Sequence, residues 1–167
     1  MKNKPIIRIT EIQPQQAIIV ADIVRKSFKE QEMLLKMTPE AFPNYVSFET
    51  GDKVLLDVDN GKVVFLGEIN GIFVGTVRCN VDHADVSKGQ IGKLAVLPEY
   101  RRNMFGELLM KHAEVYLKQC NVSKIKISMV AHFSKLQRYY EQMGYMVKDT
   151  RSIHSLPFNV MFLEKSL

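Results

Sequence analysis

The stretch Leu94-Ala95-Val96-Leu97-Pro98-Glu99-Tyr100-Arg101-Arg102-Asn103-Met104-Phe105-Gly106-Glu107-Leu108-Leu109 reads as a buried strand, a basic turn and an amphipathic helix that starts abruptly. That order suits an anion. The first turn of a helix carries N–H groups with no acceptor inside the helix, and the helix dipole adds positive potential there. A phosphate satisfies both. Arg101 and Arg102 bring charge to the turn, and Gly106 lets backbone come close to a ligand.

The other candidate groups are weaker. Asp82-His83-Ala84-Asp85 has ligand-type side chains but no second histidine at helical spacing, so it reads as a solvated turn and no metal is expected. Neither a GxGxxG strand-helix turn nor a GK[ST] phosphate loop occurs, which removes the common nucleotide sites. Cys79 and Cys120 form no CxxC pair, and two reduced thiols in a cytoplasmic protein are the expected state. His112 lies on the apolar side of its helix and reads as a packed residue.

Two blocks carry a family resemblance. Arg101-x-x-Met104-x-Gly106, following Leu94 to Tyr100, is similar to the acyl-CoA pyrophosphate loop of the GNAT (Gcn5-related N-acetyltransferase) superfamily, Q/R-x-x-G-x-G/A. Met104 stands where that pattern has its first glycine. Tyr139-Tyr140-Glu141-Gln142-Met143-Gly144-Tyr145 resembles the FYExxGF-like segment that follows in the same family. Together they cover roughly the C-terminal half of the chain.

The resemblance implies acetyl-CoA as co-substrate and an amine as acceptor, with direct attack in a ternary complex. Backbone N–H groups of Arg102, Asn103, Met104, Phe105, Gly106 and Glu107 would hold the diphosphate. Leu94, Ala95 and Val96 would offer backbone groups to the pantetheine amides and the acetyl carbonyl. Tyr140 would protonate the departing thiolate, and Ser134 would replace a family asparagine whose place Phe133 takes. At Met104 a negative φ is tolerable, whereas a left-handed backbone there is costly.

No general base is evident. The glutamate that some relatives carry on the fourth strand aligns with Gln90, which cannot accept a proton. An alkylamine with pKa about 10.4 costs about 4 to 5 kcal/mol to deprotonate at pH 7, an α-amino group near 8 only about 1. His132 and His154 are both placed to reach the acceptor side, although a structural or solvent role is the commoner fate of such histidines. Glu49, Asp52, Asp57 and Asp59 would attract a cationic amine, but they read first as a solvated acidic loop.

The elements around these residues follow from periodicity. Ile6–Ile12 alternates as a strand, and Pro14 opens a helix to about Lys29. Thr38-Pro39-Glu40 predicts a short second helix through Tyr45 and Phe48, and Asp57 to Gly61 reads as turn. Lys62–Ile69 and Ile72–Val81 flank Asn70-Gly71, a strong hairpin signal. Strands near Gln90–Leu97 and Lys124–Val130 enclose a helix from about Arg102 to Gln119, with Phe105, Leu108, Leu109, His112, Val115 and Tyr116 inward. Ser134–Met143 forms a helix closed by Gly144, and strands near Tyr145–Lys148 and Phe158–Glu164 complete the chain.

This order predicts an α/β (α+β) fold, a mixed and mainly antiparallel sheet of six to seven strands with helices on both faces. The resemblance adds a splay between the fourth and fifth strands. At 167 residues a single domain is expected over residues 1–167. No apolar run approaches membrane length, and Met1 to Thr10 has no signal-peptide character.

The net charge of +5 is uneven: Arg101 to Arg138 holds eight Lys/Arg against Glu107 and Glu114, or +6, leaving about −1 elsewhere. The excess coincides with the proposed phosphate turn. A basic nucleic-acid-binding domain would explain the same charge, but the Arg102 to Gln119 helix is needed for the core and leaves no free reading face. A non-catalytic acyl-CoA sensor and another acyl-CoA donor are the remaining alternatives, and the sequence leaves a homodimer open. An acetyl-CoA-dependent N-acetyltransferase acting on a small molecule or peptide amine, in the cytoplasm and without a membrane partner, is the reading favoured by the resemblance.

Overall fold

A computed structural model describes residues 5–167; the first four residues of the Met1 to Thr10 stretch, read as lacking signal-peptide character, lie outside these. Seven strands form an open mixed sheet: β1 Arg8–Glu11, β2 Val63–Ile69, β3 Ile72–Val81, β4 Lys88–Val96, β5 Lys124–Val130, β6 Met146–Ser152 and β7 Asn159–Ser166. Their order across the sheet is β1-β2-β3-β4-β5-β7-β6. Four helices accompany them: α1 Ala17–Leu34, α2 Gly51–Asp59, α3 Phe105–Gln119 and α4 Ser134–Gln142. The chain forms two compact units, residues up to Cys79 with Lys93–Ala113, and Asn80–Gly92 with Glu114–Leu167.

In the first unit β1 and β2 run antiparallel, with Arg8 opposite Glu68 and their side chains paired at 2.7 Å. The β2–β3 hairpin turns at Asn70 and Gly71, whose φ values of 50° and 82° match a turn with two left-handed residues, as Asn-Gly predicts. The core is the inner stripe of α1, Ala17, Val20, Ala21, Ile23 and Val24, packed with Val54 of α2, Val64 and Leu66 of β2, and Ala95 and Leu97. Gly75 is a required glycine: a Cβ there would stand 2.9 Å from the Ala95 carbonyl oxygen and 2.8 Å from Leu109.

Two boundaries differ from the sequence expectation for identifiable reasons. The first helix opens as a 3-10 turn at Pro14–Gln16 and runs five residues past Lys29, to Leu34. The helix expected from Thr38 stops after one turn, with the Phe42 N–H donating to the Thr38 carbonyl at 2.8 Å, and only a 3-10 turn at Val46–Phe48 follows. Pro43 lacks an N–H and bars Phe42 from helical backbone. The second helix lies at Gly51–Asp59, in the segment read as a solvated acidic loop, and takes in the first three residues of the Asp57 to Gly61 turn. Thr50 caps it by accepting from the Lys53 N–H at 3.2 Å, and Asp52 complements the dipole. It ends in a Schellman motif, with Lys62 N–H donating to the Asp57 carbonyl at 3.0 Å, Gly61 N–H to Val58 at 2.9 Å, and Gly61 at φ 87°.

In the second unit β7 lies antiparallel between β5 and β6, and the start of β4 runs parallel to β5 with Lys88–Gln90 opposite Lys124–Lys126. Ile125, Ile127 and Met129 of β5 are buried, as their alternation predicts. Along α3, Phe105, Leu109, Met110 and Ala113, which belong to the first unit, and Leu117, which belongs to the second, are buried, while Leu108 and Val115 are exposed. The inward face is therefore rotated from the one expected, because α3 is apolar on much of its circumference and periodicity alone does not choose among its faces.

Candidate functional site

The strand-turn-helix junction is built within the first unit. Leu94 and Val96 are half-buried and Ala95 is buried. After β4 the chain makes a 3-10 turn over Pro98–Tyr100, then passes through Arg101 in extended backbone, Arg102 at φ 63° and Met104 at φ 64°. The helix begins at Phe105 rather than near Arg102, and Leu108 N–H makes the first helical bond to the Met104 carbonyl at 3.1 Å. Phe105, Gly106 and Glu107 thus occupy the first turn, where helix geometry offers their N–H groups no acceptor.

Met104 takes the costly alternative, and so does Arg102. Left-handed backbone costs a non-glycine residue about 1 to 2 kcal/mol, so the chain holds this shape against two such penalties. Left-handed residues alternating with ordinary backbone turn successive N–H groups to one side, a concavity suited to an anion. Asn103 steadies it, its Nδ2 donating to the carbonyls of Tyr100 at 3.3 Å and Arg101 at 3.1 Å. Arg102, Asn103 and Met104 are exposed, Gly106 is buried and Glu107 is half-buried.

Arg101 sits otherwise than its charge suggested. Its Nη2 donates to the Ser27 carbonyl of α1 at 2.7 Å and its Nε to the Val96 carbonyl at 3.3 Å. The guanidinium ties turn, strand end and helix together.

Tyr140 and Ser134 lie in the second unit on α4. Ser134 is exposed at the first helical position. Six residues separate it from Tyr140, about 240° around the helix, so the two share no face. Tyr140 is partly buried, and burial pushes its phenol up to about 12. Its ring meets Tyr139 edge-on at 5.5 Å and Tyr145 at 6.1 Å. Tyr145 is fully buried and donates to Glu114 at 3.0 Å, while Lys165 reaches the other Glu114 oxygen at 2.9 Å. Burial and the adjacent carboxylate raise the Tyr145 phenol far above its ordinary range.

The acidic segment is not a solvated loop. Glu49 is buried and paired with Lys93 at 2.7 Å and Arg78 at 3.0 Å, and Asp57 pairs with Arg78 and with Lys62 at 2.9 Å. Burial works to raise the Asp57 carboxyl, but hydrogen bonds from Lys62 and Arg78, with the nearby Lys93, outweigh it and hold the group below its ordinary value. Only Asp52 and Asp59 are exposed. The signal for this network was Arg78, a lone charge in the apolar run Phe73–Val81, since a buried guanidinium requires partners. Lys93, at φ 48° in β4, carried no such signal.

Gln90, His132 and His154 are exposed. His112 is half-buried edge-on to Phe65 at 4.6 Å, and burial lowers its pKa. Asp82 closes its own turn, accepting from the N–H groups of Ala84 at 2.7 Å and Asp85 at 3.2 Å. Among the described residues no helix is long and apolar enough to cross a membrane.

Comparison with known proteins agrees with this architecture. The model of the acetyltransferase (GNAT) family matches residues 28–145. No curated protein sequence matches the chain. Among solved structures, a PaiA N-acetyltransferase from Thermoplasma acidophilum in complex with coenzyme A is 17% identical, with 97% of this chain and 99% of that one covered at a TM-score of 0.76. A GNAT-family acetyltransferase from Streptococcus pneumoniae is 15% identical, covering 97% and 99% at 0.73. YncA, a putative acetyltransferase from Salmonella typhimurium solved with acetyl-CoA, is 13% identical, covering 96% and 94% at 0.71. With the family model spanning most of the chain and the fold shared end to end, this protein belongs to the GNAT family of acetyltransferases.

Proposed function

We propose that the protein transfers an acetyl group from acetyl-CoA to a primary amine of a small molecule or peptide by direct attack. The observation that carries this reading is the turn at Arg102–Met104, where two strained left-handed residues lead directly into a helix start. Such strain persists where a ligand or a function requires it. Two of the solved relatives were crystallised with coenzyme A or acetyl-CoA, which supports the same ligand here.

The residues fit an anionic diphosphate. In this reading the N–H groups of Arg102 through Glu107 bind it, each charge-assisted bond worth about 1.5 to 3 kcal/mol net. Arg102, exposed on the turn, adds its charge. Leu94, Ala95 and Val96 offer backbone groups to the pantetheine amides and to the acetyl oxygen, where negative charge grows during attack. When bound, acetyl-CoA supplies the acetyl group as a thioester and departs as the thiol.

Tyr140 is the proton donor in this reading. A phenol held near 12 stays protonated at any working pH, so the donor is always loaded. Its transfer to a thiol of ordinary pKa, about 8.5, is uphill until the sulfur is itself desolvated, which ties proton transfer to C–S cleavage. The acceptor arrives already neutral or gives its proton to water, because Gln90 cannot take it. Ser134, exposed at the start of α4, offers its hydroxyl as a further contact to the cofactor.

The test is calorimetric titration of the folded protein with acetyl-CoA. Saturable one-site binding is expected. Absence of binding, together with tight salt-sensitive binding of DNA, would transfer the assignment to nucleic-acid recognition.

A further inference from the structure

The reading above gives the turn two arginines, and their geometry separates them. We infer that Arg101 is a positioning residue that braces the diphosphate-binding turn from behind, and that Arg102 alone of the pair supplies side-chain charge to the ligand. This rests on the turn being the diphosphate site.

A guanidinium is a rigid planar fork, and its edges serve one geometry at a time. That of Arg101 is committed to two carbonyls from two elements, Ser27 in the middle of α1 at 2.7 Å and Val96 at the end of β4 at 3.3 Å. Glu30 of α1 lies 3.9 Å from its Nη1 and adds opposite charge on the same side. Ser27 is buried, and the guanidinium reaches its carbonyl from a side chain that keeps 41% of its surface exposed.

A helix carbonyl has a second lone pair beyond the one its own ladder uses, and Arg101 takes it. The bond from Nε to Val96 closes the chain between Val96 and Arg101 into a loop of fixed span. Arg102 and Met104 follow immediately in left-handed backbone. Without the brace, each could relax toward ordinary φ, and the N–H groups that the concavity gathers would diverge. Arg102 is exposed as Arg101 is, but it sits on the strained segment itself.

The two roles respond differently to salt and to lysine. A charge that contacts the ligand is screened, so the deficit left by R102Q should shrink at high ionic strength. A brace that donates to neutral carbonyls makes no charge-charge contact with the ligand, so the deficit of R101Q should change little between low and high salt. Lysine keeps the charge but is a point donor that cannot span both carbonyls, so R101K should fail to rescue while R102K should rescue largely.

The experiment is calorimetric titration with coenzyme A at 50 mM and 500 mM salt for wild type, R101Q, R101K, R102Q and R102K, with circular dichroism melts as the fold control. Expected are about a tenfold loss for both Arg101 variants at either salt, and about a tenfold loss for R102Q at low salt that falls to about twofold at high salt. An R101K that binds like wild type, or an R101Q deficit that shrinks with salt, overturns the inference while leaving the site in place. Should R101Q not fold, R101K decides alone. A wild type that fails to bind coenzyme A overturns the site assignment and this inference together.

Discussion

Tyr140 and Tyr145 are the two aromatic ends of one Schellman motif. Tyr145 N–H donates to the Tyr140 carbonyl at 3.2 Å, Gly144 N–H to Glu141 at 3.0 Å, and Gly144 supplies the left-handed φ of 92°. The motif commonly brings these two positions into apolar contact, and here the rings lie 6.1 Å apart. The helix stop thereby seats the proposed proton donor on a residue anchored to Glu114 and Lys165.

Tyr145→Phe should destabilise the fold by about 1 to 3 kcal/mol, since Glu114 keeps Lys165 but loses a buried donor. A urea melt checks this. Turnover should fall less than for the Tyr140 variant, because the ring contact survives.

The same tyrosines set an alkaline limit. Both phenols titrate above their ordinary value, near 10, in the folded protein, Tyr140 at about 12. Stability from a raised group is complete below its unfolded pKa and is lost as pH rises through the folded one. Melting temperature should therefore decline from about pH 10 upward, and Tyr145→Phe should flatten that decline. A wild-type melt unchanged to pH 11.5 would contradict the assignment.

Tyr140→Phe should leave coenzyme A affinity intact and lower turnover by about 10²- to 10⁴-fold, the range of a general acid. Near-normal turnover with chemistry rate-limiting would remove Tyr140 from the reaction. Tyr139→Phe should lower turnover far less than Tyr140→Phe.

Met104→Gly restores the residue that the family pattern has and relieves a left-handed side chain. It should raise stability or leave it within about 1 kcal/mol despite the entropy of an added glycine, with acetyl-CoA affinity retained. A tenfold loss of affinity would mean that the Met104 side chain itself contacts the ligand.

The strands and the strand-turn-helix junction were legible because their signals are local: alternation in Ile125–Met129, Asn70-Gly71 at the hairpin, Gly144 after α4. What the sequence hid was tertiary. Gly51–Asp59 is rich in turn formers and becomes helix through Thr50, Val54 and the Schellman end at Gly61. Glu49 and Asp57 look solvated until Arg78 and Lys93 arrive from other strands. Arg101 reads as a phosphate ligand by charge, and only the Ser27 carbonyl, 74 residues away, shows where its guanidinium goes.

The central claim is turnover. Free-thiol release from acetyl-CoA, measured with a panel of alkylamines and α-amino acceptors between pH 6 and 9.5, tests it most directly. With Gln90 unable to accept a proton, the account predicts acetylated product on at least one acceptor class, with a rate that rises past neutrality for an alkylamine and levels near pH 8 for an α-amine. Acetyl-CoA bound but never cleaved across the panel would contradict it, and would make the protein a sensor of the acyl-CoA it holds.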